Sequence, residues 1–81
     1  MKTLIIDIRT TSEFNQRHVP GAVNLPFSQI TDHIAALNSY GKDTPIIVYG
    51  RDTQRSSHVK DVLASLGFHN ILNNLAASNT I

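Results

Sequence analysis

Four strand-like segments alternate along this chain with segments of helical periodicity, and that alternation constrains the fold more than any single motif. The strand-like segments are Leu4-Ile5-Ile6-Asp7-Ile8, Ala22-Val23-Asn24-Leu25, Ile46-Ile47-Val48-Tyr49 and Phe68 to Leu72. The first lacks a clean alternation, as expected of a parallel strand covered on both faces. Thr10 and Glu13 match a capping box, which starts one or two helical turns through Phe14 and Arg17. His18-Val19-Pro20-Gly21 breaks that helix, and Pro26 ends the second strand. Ser28 offers an N-cap to a helix carrying Ile30, Ile34 and Leu37 on one face, ended by Gly41. Ser56 or Ser57 offers the next, where Val59, Val62, Leu63 and Leu66 follow i, i+3, i+4, i+7 and Gly67 sits just past the end. Strands alternating with helices predict an α/β fold with about four parallel strands, right-handed crossovers laying helices on both faces.

The chain of 81 residues reads as a single domain over 1–81, without repeat, linker or low-complexity tract. A net charge of +1 gives no field for nucleic acid or an anionic membrane. No apolar run approaches the roughly 20 residues of a membrane helix. Met1-Lys2-Thr3 leads into a strand-like segment with neither a signal-peptide core nor a cleavage site, so the expected compartment is the cytoplasm. These residues include no cysteine, which excludes disulfides, thiolate metal sites and thiol redox chemistry within them. His33, His58 and His69 show no metal-ligand spacing, and no cofactor is implied.

In open parallel sheets, ligands sit outside the carboxyl ends of the strands. The segments after Ile8 and Tyr49 open at that edge, which nominates Arg9 and the stretch Gly50, Arg51, Asp52, Thr53, Gln54, Arg55. Ile46 to Ser56 reads as a buried strand, a six-residue loop and a helix start. That order gathers backbone N–H groups and the positive end of a helix dipole around one point. Arg51 and Arg55 flank those amides, which suits a small oxyanion. A scaffold loop with solvated arginines is the other reading. Ser56 and Ser57 have no histidine–carboxylate partner that would make them nucleophiles. Phe14, Phe27 and Phe68 are assigned to the core.

The same residues resemble a single-domain rhodanese, of the thiosulfate sulfurtransferase superfamily. Leu4 to Arg9 with Glu13-Phe14 is similar to its first signature, and His18-Val19-Pro20-Gly21-Ala22-Val23-Asn24-Leu25-Pro26 to its second. Val48-Tyr49, the loop, Arg55-Ser56 and Leu63 through Phe68 are similar to the strand, loop and helix of its active site. The resemblance implies a four-stranded sheet with the first and third strands central. It also implies structural roles for Asp7 and Arg9, which hold loops together, and for His18. In active members the first loop residue is a cysteine that carries sulfane sulfur as a persulfide, activated by the amides and the helix N-terminus. Gly50 stands there, so no catalytic residue is assigned.

Further departures accompany it. Thr53 replaces a usual loop glycine, with strain expected if that position needs φ > 0. Ala76-Ala77 replaces a glycine pair before a short final helix, and Ile81 replaces a tryptophan. The N-terminal edge strand and helix of longer members are not expected, and a missing final helix would leave an apolar strip near Leu72 and Leu75. The implied function is a catalytically inactive domain that binds a small anion, a sulfur-containing ligand or a protein partner at residues 50–55. The alternative is a sulfurtransferase whose nucleophilic cysteine was replaced by Gly50.

Overall fold

The computed structural model describes residues 2–76. Four parallel strands, β1 (Leu4–Asp7), β2 (Val23–Asn24), β3 (Ile46–Gly50) and β4 (Ile71–Ala76), form one sheet in the order β2-β1-β3-β4. The first and third strands are central, as the resemblance implies. Register pairs Leu4 with Ile46 and Ile6 with Val48, so Leu4, Ile6 and Ile8 share a face with Ile46, Val48 and Gly50. On that face lie α2 (Ile30–His33), the 3-10 segment after it and α3 (Thr53–Ser65). Ile30, Ile34, Leu37, Val59, Leu63 and Phe68 join the strand residues in one buried core.

The connection through α1 (Thr11–Gln16) runs from β1 to one side, and the later connections run to the other. Right-handed crossovers therefore send α1 to the opposite face, which carries Ile5, Asp7, Ile47 and Tyr49. Chain direction switches between β1 and β3, and a crevice opens at their carboxyl ends.

The Thr10–Glu13 capping box forms as its spacing predicts: the Thr10 hydroxyl accepts from Glu13 N–H, and the Glu13 carboxylate from Thr10 N–H. Several boundaries differ from the sequence reading. Ser28 caps nothing, because Pro26 with its fixed φ of -54° starts a 3-10 turn at Phe27–Gln29 directly. After the single α-helical turn of α2 the chain returns to 3-10 helix over Ile34–Ser39, and Tyr40 turns extended before Gly41 is reached.

Asp52, not Ser56 or Ser57, is the N-cap of α3, its carboxylate accepting from Arg55 N–H at 2.8 Å. The expected six-residue loop therefore shrinks to Arg51 and Asp52, since Gly50 closes β3 and Thr53 opens the helix. Thr53 carries no strain, because among the described residues every positive φ belongs to glycine.

Phe68 is not a strand residue. Gly67, at φ +103°, turns the chain out of α3 and drops the Phe68 ring into the core, and β4 begins at Ile71. β4 then extends past Leu72 because β3 supplies partners for Asn73 and Ala76. Phe14 leaves the core and stacks on His18, centroids 3.8 Å apart. Leu72 is exposed, on the side of the sheet shared with Ile5 and Ile47. The Leu75 side chain, Ala77 and Ile81 lie outside the described residues.

Candidate functional site

Asp7 ends β1 completely buried, and a carboxylate without water needs a partner for every lone pair. Arg9, two residues on, supplies them. Asp7 Oδ1 accepts from the Arg9 backbone N–H at 2.9 Å and from Nε at 3.1 Å, while Oδ2 accepts from Nη2 at 2.9 Å. That hydrogen bond is also the largest of the causes that hold the Arg9 guanidinium above its ordinary pKa. Arg9 donates further to the Arg17 carbonyl, tying down the end of α1. Asn24 on β2 donates to the carbonyls of Asp7 and Arg9 at 3.0 and 3.1 Å. The turn after β1 is thus fixed from three sides, the structural role expected of Asp7 and Arg9.

Beside this turn lies a cavity of about 170 Å³ at the carboxyl ends of β1 and β3. Ile8, Pro26 and Phe27 provide its apolar wall, and Arg9, Arg51 and Arg55 its cations. The structure brings Arg51 and Arg55 of the predicted stretch to this cavity. It does not bring the others. Asp52 is turned back to cap α3, Thr53 and Gln54 are exposed on the helix's first turn, and Gly50 is buried beneath. A Cβ at Gly50 would stand 2.9 Å from Ile8 Cγ1, 3.0 Å from Ser56 Oγ and 3.1 Å from Ile8 Cδ1. The space into which a residue-50 side chain would project is filled by Ile8.

Each arginine at this edge has a carboxylate: Arg9 has Asp7, Arg51 has Glu13, and Arg55 has Asp52 at 3.8 Å. The last pair is the loosest, because Asp52 Oδ1 is committed to the helix amide. Arg55 instead lies over the Phe27 ring, 5.6 Å from its centroid, while His58 meets the ring edge-on.

Glu13 and Phe27 are the residues the sequence reading missed. In the sequence Glu13 is explained by its capping box and the first signature and Phe27 by the core, and neither is near residue 50. The remaining histidines are held away from this cavity: His18 against Phe14 and His33 by Gln29 within one helical turn, and His69 across the chain by Asp43.

Burial pushes the Glu13 carboxyl upward, but the Thr10 N–H, the Arg51 guanidinium and the Thr10 hydroxyl together outweigh it and hold its pKa below 4.5. A carboxyl lowered on folding adds stability that is complete above its unfolded pKa and is lost as pH falls through the folded one. Wild-type protein should therefore lose stability below about pH 4.5 faster than Glu13→Gln, which keeps the capping box without the charge. Parallel urea melts from pH 7 to pH 3 measure this, and superimposable acid limbs would refute it.

A family model described as the rhodanese-like domain matches residues 1–77. The chain is 31% identical over 68 residues to thiosulfate sulfurtransferase PspE of Escherichia coli, covering 84% of this chain and 64% of that protein. It is 32% identical over 81 residues to a putative mitochondrial thiosulfate sulfurtransferase of Schizosaccharomyces pombe, covering 88% of this chain and 57% of that one. The chain thus spans about three-fifths of the length of these curated relatives. Among solved structures it is similar to a rhodanese with anions from E. coli, at TM-score 0.77 and 26% identity, covering 99% of this chain and 92% of the other. Among the described residues no helix is long and apolar enough to cross a membrane.

Proposed function

The chain belongs to the rhodanese-like domain family and is related to thiosulfate sulfurtransferases, and from that premise we infer that these residues form a catalytically inactive member. It holds a small anionic ligand in the crevice between β1 and β3. The observation that carries this reading is the convergence of Arg51 and Arg55 on one cavity beside a position where glycine replaces any nucleophile. Sulfur transfer by way of a persulfide needs a thiolate. None of the 81 residues provides one, and Ile8 fills the space beside Gly50. The similar E. coli rhodanese was solved with anions, which supports the class of ligand. The receptor groups in this reading are the arginine side chains; of the first-turn amides of α3, that of Arg55 is already bonded to Asp52.

Two measurements test the halves separately. With thiosulfate and cyanide the protein should form no thiocyanate above a blank; turnover would end the claim of inactivity. Titration with thiosulfate and, separately, with benzoate, followed by NMR, should shift the Arg55 signals with at least one of the two. Arg55 signals unmoved by both anions at matched ionic strength would end the claim of binding.

A further inference from the structure

The crevice has two unlike sides, and this says which anion suits it; the inference rests on the reading just given. Its cations are balanced. Arg9, Arg51 and Arg55 each face a carboxylate, so the edge carries no surplus positive charge to concentrate a compact inorganic dianion. The first-turn amide of α3 at Arg55 is likewise taken. Of the three, the Arg55 guanidinium, 3.8 Å from its acid, is the most loosely held and can donate to another oxygen at little loss. An exposed ion pair of this kind contributes weakly. Binding strength has to come from the other side.

That side is apolar. Ile8 is buried at the base, with half-buried Pro26 and Phe27 beside it. The cavity measures about 170 Å³, and a cavity of about 150 Å³ lined by such residues accepts benzene. Burial of apolar area strengthens binding in proportion to the area covered. Because Arg55 lies over the Phe27 ring, cation and apolar wall adjoin at a distance that one small molecule spans.

We propose that the crevice selects a monoanion bearing one compact apolar group about the size of a ring: an aromatic or branched-chain carboxylate. The apolar group lies against Ile8, Pro26 and Phe27, and the carboxylate meets Arg55.

The test titrates the 81-residue protein with benzoate, acetate, sulfate and benzyl alcohol at constant ionic strength. The readouts are the Ile8 methyl, Phe27 ring and Arg55 Nε–H signals by NMR. Benzoate is expected to bind at least tenfold more tightly than acetate or sulfate, and to move all three sets of signals. Arg55→Gln should weaken benzoate at least fivefold and leave benzyl alcohol unchanged. Phe27→Leu should weaken both, with a thermal melt confirming that each variant is folded. Acetate or sulfate binding as well as benzoate would overturn this inference and leave the anion reading intact. Benzyl alcohol binding as well as benzoate would overturn the anion reading and this inference with it. Benzoate shifts confined to residues outside the crevice would overturn the inference as well.

Discussion

Replacing Asp7 with alanine is expected to destabilise the domain by about 3–5 kcal/mol, the usual loss when one member of a buried ion pair is removed. An 81-residue domain has only about 4–12 kcal/mol of stability at roughly 0.05–0.15 kcal/mol per residue, so the variant should be partly unfolded at 37 °C. The reasoning starts from exposure: the side chains of Asp7 and Arg9 are 0% and 8% accessible. Removing the carboxylate leaves Arg9 charged, nearly dry and short of its bonding partner. The Arg9 backbone N–H loses its acceptor as well, and the turn that aims Arg9 at the crevice loosens.

If the orphaned charge is the main cause, Asp7→Leu combined with Arg9→Met should recover much of the loss, because a well-packed apolar pair replaces a buried ionic one at little net change. Urea melts of the single and double variants decide it. A single-variant loss under about 1 kcal/mol, the scale of an exposed pair, would show that the pair is far wetter than its geometry indicates.

The second large effect is at Gly50. Gly50→Cys should lower stability by about 1–3 kcal/mol, the range for overpacking a filled core. Its thiol should also remain without added sulfur after incubation with thiosulfate. The Cβ alone would stand 2.9 Å from Ile8 Cγ1, and it would crowd Ser56 Oγ at 3.0 Å. Ser56 Oγ donates to the Asp52 carbonyl, so moving it also disturbs the start of α3. In an Ile8→Ala background the same substitution should cost less, with a coupling of about 0.5–3 kcal/mol between the two sites. Thermal melts of the four proteins give the cycle, and intact mass reports any added sulfur. A single variant that melts like wild type and gains one sulfur atom would favour the alternative in which nothing but the nucleophile is missing.

The sheet was legible because its signals are local or periodic. Thr10 and Glu13 sit at the spacing their reciprocal bonds need, and the pattern of Val59 and Leu63 marks the buried face of α3. The start of α3 was not legible. Asp52, Ser56 and Ser57 are all good caps by residue type. What separates them is tertiary: starting at Thr53 buries Ser56 and sets Val59 and Leu63 into the core. The extent of β4 was hidden for a related reason, since Asn73 is a poor strand former that pairs because β3 is beside it. At the site, Arg51 and Arg55 could be found from the rule that ligands gather at strand ends. Glu13 could not, because the pairing of α1 with the turn after β3 exists only once β1 and β3 are neighbours.

Where Ile8 meets Gly50, packing makes the two positions interdependent. With Ile8 in the space a side chain would use, a single substitution that adds a side chain at position 50 arrives in a crowded interior. Accommodating it takes two changes, one at each end of the contact. The obstacle to installing a nucleophile at this edge is therefore mechanical as well as chemical.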